Sequence, residues 1–185
     1  MYIFSQQLGR HDRAVASVKV SSNQRFLASA SADKTVNIYD LETKERKNIL
    51  NNAHTAGLND VVWMTGDTHV FTASDDKTVK LWDVETGTAV SDFHGHKGFV
   101  FCLSCHPNSN IVVSGSYDET IRMWDIRAKE CVGEVEAHAD PVTAVNFNSS
   151  GDRFLTSSYD GLIRVWDTKN LSLEKSMHAT NSPPV

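Results

Sequence analysis

Short apolar runs separated by clusters of Asn, Asp, Ser, Gly and Lys fill this chain from end to end. Residues 15–20, 26–31 and 35–39 form a first set, followed by a more polar stretch at 46–50. Residues 58–64, 70–74 and 79–82 form a second set, 99–105, 111–116 and 121–124 a third, and 142–147, 154–158 and 162–166 a fourth. The runs are rich in β-branched and aromatic residues and are bounded by turn formers, a pattern that predicts strands. Apolar residues do not recur at helical spacing over any useful length. The fold class this predicts is all-β.

The sets are copies of one unit. His11, His54, His96 and His138 are spaced 43, 42 and 42 residues apart, and Tyr39-Asp40, Trp82-Asp83, Trp124-Asp125 and Trp166-Asp167 keep the same step. A second aspartate follows in register (Asp33, Asp76, Asp118, Asp160), and four residues before each stands a hydroxyl: Ser29, Thr72, Ser114, Thr156. Such self-similarity divides residues 1–185 into repeats of approximately 11–53, 54–95, 96–137 and 138–178. A period near 40–45 residues, with several short strands and a Trp-Asp close, resembles the WD40 repeat. The resemblance implies a β-propeller of four-stranded blades. That family's ring has seven blades, so four would make an open arc with two uncovered apolar faces, prone to self-association.

Each unit holds a Ser or Thr, a His and an Asp, the residue types of a hydrolytic triad. A nucleophile site occurs once per domain, whereas this set recurs four times at one spacing. It is better read as an internal brace in which Asp, His, hydroxyl and indole satisfy one another. Tyr39 stands where the other units have Trp, so its link becomes a phenol or is lost, and the first blade should be weaker by ~1 kcal/mol.

Composition narrows the function. A formal charge of −5 argues against a nucleic-acid surface, and no apolar run approaches the length of a membrane span. Residues 1–7 carry no signal-peptide features, and the three cysteines fit a reducing compartment, so an intracellular chain is expected and the Asn148 and Asn170 glycosylation patterns are read as chance. Cys102 and Cys105 form a C-x-x-C, but three positions apart on a strand they face opposite ways. His69, His94 and His106 share no repeat position. No metal or cofactor, and no enzyme activity, is expected.

Function should lie where the copies align and differ. Two rings qualify: Ala16, Asn59, Phe101 and Thr143, five residues after each repeat His, and Ala32, Asp75, Tyr117 and Tyr159, just before each turn Asp. Aromatic anchors with a few polar groups around a channel suit a peptide, and Phe101 with Asp75 suits an arginine side chain.

Ser-Ala-Asp-Lys-Thr at 31–35, Ser-Asp-Asp-Lys-Thr-Val-Lys-Leu-Trp-Asp-Val at 74–84, Phe-Val-Phe-Cys at 99–102 and Val-Ser-Gly-Ser-Tyr-Asp-Glu at 113–119 are similar to one family in particular. So are 138–145 and 157–168. The chain resembles the WD-repeat scaffold subunit of COMPASS/MLL-type histone methyltransferase complexes. That resemblance implies a non-catalytic nuclear scaffold whose channel holds an arginine, from the methyltransferase subunit or the histone H3 tail, between two phenylalanines. Phe101 matches one of the pair, and Asp75, Tyr117 and Tyr159 match the rim. Asn59 and Thr143 stand where the family usually has serine, and Ala16 removes another hydroxyl. The alternatives are a WD40 adaptor of another assembly (a ubiquitin ligase or splicing complex), nuclear or cytoplasmic, or a chain with little independent activity. The 2–5 run would complete a last blade, and the 180–185 tail would enter a fifth.

Overall fold

The computed structural model describes residues 7–51 and 53–178, so the 2–5 run and the 180–185 tail lie outside the described residues. Among the described residues, sixteen strands make four antiparallel sheets, each a simple up-and-down meander. Blade one is β1 (Val15–Val20), β2 (Phe26–Ser31), β3 (Val36–Asp40) and β4 (Arg46–Leu50). Blade two is β5 (Leu58–Trp63), β6 (His69–Ser74), β7 (Val79–Asp83) and β8 (Ala89–Phe93). Blade three is β9 (Val100–Cys105), β10 (Ile111–Ser116), β11 (Thr120–Asp125) and β12 (Glu130–Glu136). Blade four is β13 (Val142–Phe147), β14 (Arg153–Ser158), β15 (Leu162–Asp167) and β16 (Leu173–His178). The expected inner strands lie within a residue or so of their predicted ends. The outer strands β8, β12 and β16 had no bounds from sequence, because their mostly polar, solvent-facing residues leave little apolar pattern.

The Asp of each Trp-Asp close has a local task. Its carboxylate accepts backbone N–H groups of the following turn, as Asp125 does from Arg127 (2.7 Å) and Ala128 (3.0 Å) and Asp167 from Lys169 (2.9 Å) and Asn170 (3.1 Å). This caps the sharp reversal between third and fourth strands. The β2–β3, β6–β7 and β10–β11 turns place Lys34, Lys77 and Glu119 in the left-handed region, where the fourth repeat has Gly161.

The blades stack face to face. Ala28, Val36, Ile38 and Leu50 of blade one pack on Leu58, Val61, Val70 and Trp82 of blade two. Phe71, Val79, Leu81 and Phe93 meet Val100, Leu103, Val112 and Trp124, and Val113, Ile121 and Met123 meet Val142, Val145, Phe154 and Trp166. The innermost strands β1, β5, β9 and β13 therefore lie side by side around a concave surface. Among the described residues the arrangement is an open arc, with one face of blade one and one of blade four uncovered.

Candidate functional site

The repeated polar set forms a relay within each blade. In blade three the Trp124 indole N–H donates to the Ser114 hydroxyl (2.8 Å), which lies 2.7 Å from His96 Nε2, while His96 Nδ1 lies 3.1 Å from Asp118. With the hydroxyl already accepting from the indole, its proton goes to Nε2, and Nδ1–H donates to the carboxylate. Blade two repeats this through Trp82, Thr72, His54 and Asp76, and blade four through Trp166, Thr156, His138 and Asp160. The side chains of His54, His96 and His138 have 0% exposure. No substrate can reach these hydroxyls, so the sets are braces as arranged.

A further member went unnoticed in the sequence. Thr35, Thr78 and Thr120, two residues after each turn Asp, donate to that carboxylate at 2.6 Å. Leu162 holds the place in blade four and contributes only its backbone N–H. Burial raises the affinity of these carboxyls for a proton, but the hydrogen bonds outweigh it. In Asp33 the Thr35 hydroxyl, the Asp12 and Thr35 amides and the His11 ring hold the carboxyl at about 2. Asp76, Asp118 and Asp160 are likewise held below the usual carboxylate range.

In blade one Ser29 meets His11 (2.8 Å) but receives no indole N–H. Tyr39 is buried beneath Gly9 instead, and the Asn37 amide stands 3.1 Å from His11 Nε2. Thr72→Val is therefore expected to destabilise by about 2–3 kcal/mol, because it strands both the Trp82 N–H and His54 Nε2. Ser29→Ala strands only His11, which keeps Asn37, and should cost about 1 kcal/mol. Urea denaturation of the pair checks the difference.

The first candidate ring has a structural signature. In every blade the pairing between first and second strands slips by one residue, and the unpaired residue is Ala16, Asn59, Phe101 or Thr143 in turn. A β-bulge re-aims the side chain of its extra residue. All four residues line one open cavity of about 220 Å³ on the concave surface, together with Lys19, Asp60 and Asn146. The second ring is pinned beside it: the N–H groups of Ala32, Asp75, Tyr117 and Tyr159 donate to the carbonyls of Ala14, Gly57, Phe99 and Pro141, just ahead of the innermost strands.

The two rings meet most closely at blades two and three. Asn59 donates its amide to Asp75 (2.8 Å) and to the Val100 carbonyl of blade three (2.9 Å), so one amide links the Asp75 carboxylate to the first strand of the next blade. The half-buried Phe101 meets the Tyr117 ring edge-on at 6.0 Å, and Phe99 flanks the same tyrosine at 6.0 Å. Tyr117 and Phe99 are exposed, so part of this aromatic cluster faces solvent. Phe99 opens the 99–105 run that predicts a strand, and it stands just outside β9. Tyr159 is exposed on its own turn, Ala32 abuts Gly57, and Thr143 is tied to Ser157 (3.0 Å).

Asp60 was also missed, because the other repeats carry Ser17, Cys102 and Ala144 at its position. It is buried and accepts from the Ser17 hydroxyl (2.7 Å), the Leu103 N–H (3.0 Å) and the Val61 N–H (2.9 Å), so one carboxylate ties three innermost strands. Burial pushes its pKa up despite these donors. Cys102 and Cys105 face opposite joints, one in the core between blades three and four, the other against that between two and three. Burial pushes the Cys105 thiol up to about 12 and raises Cys102 as well, so neither is a ready ligand or nucleophile.

Four-stranded sheets, the Trp–hydroxyl–His–Asp brace and the Trp-Asp turn recur in step, and the chain matches the WD domain, G-beta repeat family at residues 3–40, 45–83, 87–125 and 129–167. It belongs to the WD40 family. WD40 repeats generally serve as non-catalytic interaction scaffolds, which suits a chain whose triad-like sets in blades two to four are buried. The chain is also similar to the p21-activated protein kinase-interacting protein 1-like of Xenopus laevis, at 30% identity over 105 residues, 56% of this chain. It spans 28% of that relative's length.

Proposed function

We propose that this WD40 chain is a non-catalytic scaffold whose concave face captures an arginine side chain of an extended peptide. The observation that carries this is the bulge that turns Phe101 into the concavity, backed by Tyr117 and Phe99 and neighboured by the Asn59-oriented Asp75 carboxylate. A guanidinium can lie on the Phe101 face while donating to Asp75, two interactions that lysine meets less well. In its finer form the partner is a methyltransferase subunit or the histone H3 tail, within a nuclear histone lysine methyltransferase complex. The motifs at 74–84, 113–119 and 157–168 support that form.

A second form has the same face serve as an adaptor for another assembly, and the 105-residue similarity to a protein named for its interaction with a kinase favours it. Affinity purification separates the two by partner identity. The shared claim is tested by calorimetry with an arginine-bearing H3-tail peptide and its Arg→Ala control. Phe101→Ala should weaken binding of the first by tenfold or more, about 1.4 kcal/mol, while the thermal melt shows the blade intact. Equal binding of the two peptides would overturn the reading.

A further inference from the structure

One residue after each of the four bulges stands Ser17, Asp60, Cys102 or Ala144, and all four line the cavity that Ala16, Asn59, Phe101 and Thr143 share. Asp60 is the carboxylate in that set. The cavity's other charged lining residue is Lys19, which is exposed, whereas Asp60 is buried. Water screens an exposed charge far more than a buried one. An ionised Asp60 therefore dominates the field inside the cavity.

Three donors converge on this carboxyl. The Ser17 hydroxyl and the Val61 N–H meet Oδ1, and the Leu103 N–H meets Oδ2. Two of them are main-chain N–H groups, which can only donate, so the ionised carboxylate satisfies all three at once. The protonated carboxyl must place its own O–H, and Ser17 is the one of the three that can turn to accept it. Both forms therefore fit the same backbone, and the balance between them sets the charge of the cavity. Burial pushes the Asp60 pKa above its ordinary 3.8 against the pull of Ser17, Leu103, Lys19 and Val61. Of the strands packed against β5, β1 brings Lys19, β9 brings the Cys102 and Cys105 thiols, and β2 brings no titratable side chain. His69 stands at the far end of β6 beside Thr68 and Asp83, and Asp75, just after β6, is bonded to Asn59.

We propose that Asp60 is the specificity-determining charge of the concave site: a cationic side chain is held against its ionised form, and one proton leaves the carboxyl as that side chain enters. The carboxyl O–H bond breaks, its electron pair stays on the carboxylate and the proton goes to solvent, so the cavity exchanges one positive charge for another. A cation that favours the ionised form loosens the carboxyl's proton by the same factor by which loss of that proton tightens the cation. A neutral side chain makes no such exchange and leaves the buried carboxylate without a counter-charge. Phe101 stacks on any flat group, whereas the charge selects the guanidinium. The inference rests on the arginine reading above and names what enforces it.

Calorimetry of the 185-residue chain in buffers of different ionisation enthalpy counts the protons released. The titrants are the arginine-bearing H3-tail peptide and its Arg→Ala and Arg→citrulline controls, citrulline being a neutral side chain of nearly the same shape. At pH 8 the arginine peptide should bind about tenfold tighter than the citrulline peptide, or better. As pH falls from 8 to 5 a released proton should appear, and affinity for arginine should drop by up to about tenfold per pH unit below the Asp60 transition. Asp60→Asn should release no such proton and prefer arginine by about threefold or less. Its amide meets donors where the carboxylate accepted them, so a thermal melt accompanies it and Ser17→Ala is the second variant. Ser17→Ala keeps the carboxyl but removes a donor to its ionised form, so proton release should begin at higher pH. Arginine-selective binding with no proton released between pH 5 and 8 would overturn this proposal and leave the arginine reading standing. So would an Asp60→Asn variant that melts like wild type and keeps the full preference for arginine. Equal binding of all three peptides would remove the arginine reading and this proposal with it.

Discussion

Trp124→Ala is expected to destabilise the chain by about 3–5 kcal/mol, the range for truncating a large aromatic in a close-packed core. The indole is 1% exposed, lies tilted against Phe93 (ring centroids 5.7 Å) and edge-on to His96 (6.0 Å), and donates to Ser114. Its removal opens a cavity in the joint between blades two and three and leaves the Ser114–His96 link without its first donor. Domains of this size hold only about 5–15 kcal/mol in total, so much of the folded margin disappears with one side chain. Tyr159→Ala is the matched control: its ring is 73% exposed, and the change should stay within about 0.5 kcal/mol. Denaturant titration followed by circular dichroism reads both, and a loss under 1 kcal/mol for Trp124→Ala would mean that the brace is not what holds the blade.

Acidification should unfold the arc cooperatively below about pH 4. Asp33, Asp76, Asp118 and Asp160 all titrate below their ordinary value of 3.8 in the folded chain. A carboxyl with a depressed folded pKa contributes stability that is complete above its unfolded pKa and is lost as pH falls toward the folded one. For Asp33 that window runs from 3.8 to about 2. Each brace contributes about 1–2 kcal/mol after allowance for partial solvent screening, so four together rival the whole folding free energy. His138 adds to the same trend: burial lowers its pKa, so stability starts to fall as pH drops below its ordinary 6.5. Asp60 runs the other way, because its raised pKa favours the protonated form and its contribution is lost as pH rises through that value. The expected result is a steep fall in melting temperature between pH 4 and pH 2, flattened in Asp118→Asn, which has no carboxyl left to protonate at blade three. A melting temperature unchanged across that window would refute the linkage.

What could be read from the chain, and what could not, divides along a physical line. The blade is a local object. Its strands, its turns and the His-to-Trp spacing all fall within about forty residues, so four copies of one pattern announce them. The brace was legible for the same reason, and Thr35, Thr78 and Thr120 were equally available at their fixed offset from the turn Asp. The outer strands were harder, because most of their residues are exposed and few are apolar, so their apolar pattern is weak.

Contacts between blades are another matter. Asp60 ties residues some 43 positions away on either side, to Ser17 and to Leu103, and nothing in its own repeat marks it out. The bulges at Ala16, Asn59, Phe101 and Thr143 are a register effect, visible only once each first strand lies against its second. The all-β class, the repeat and the internal brace were readable from the chain alone, because these depend on near neighbours and on polar groups that must be satisfied within one blade. Packing of blade on blade settled that four scattered residues share one concavity, that Phe99 and Phe101 both meet Tyr117, and that Val18 and Leu155 are exposed where their counterparts are buried. Those facts depend on how one blade rests against the next.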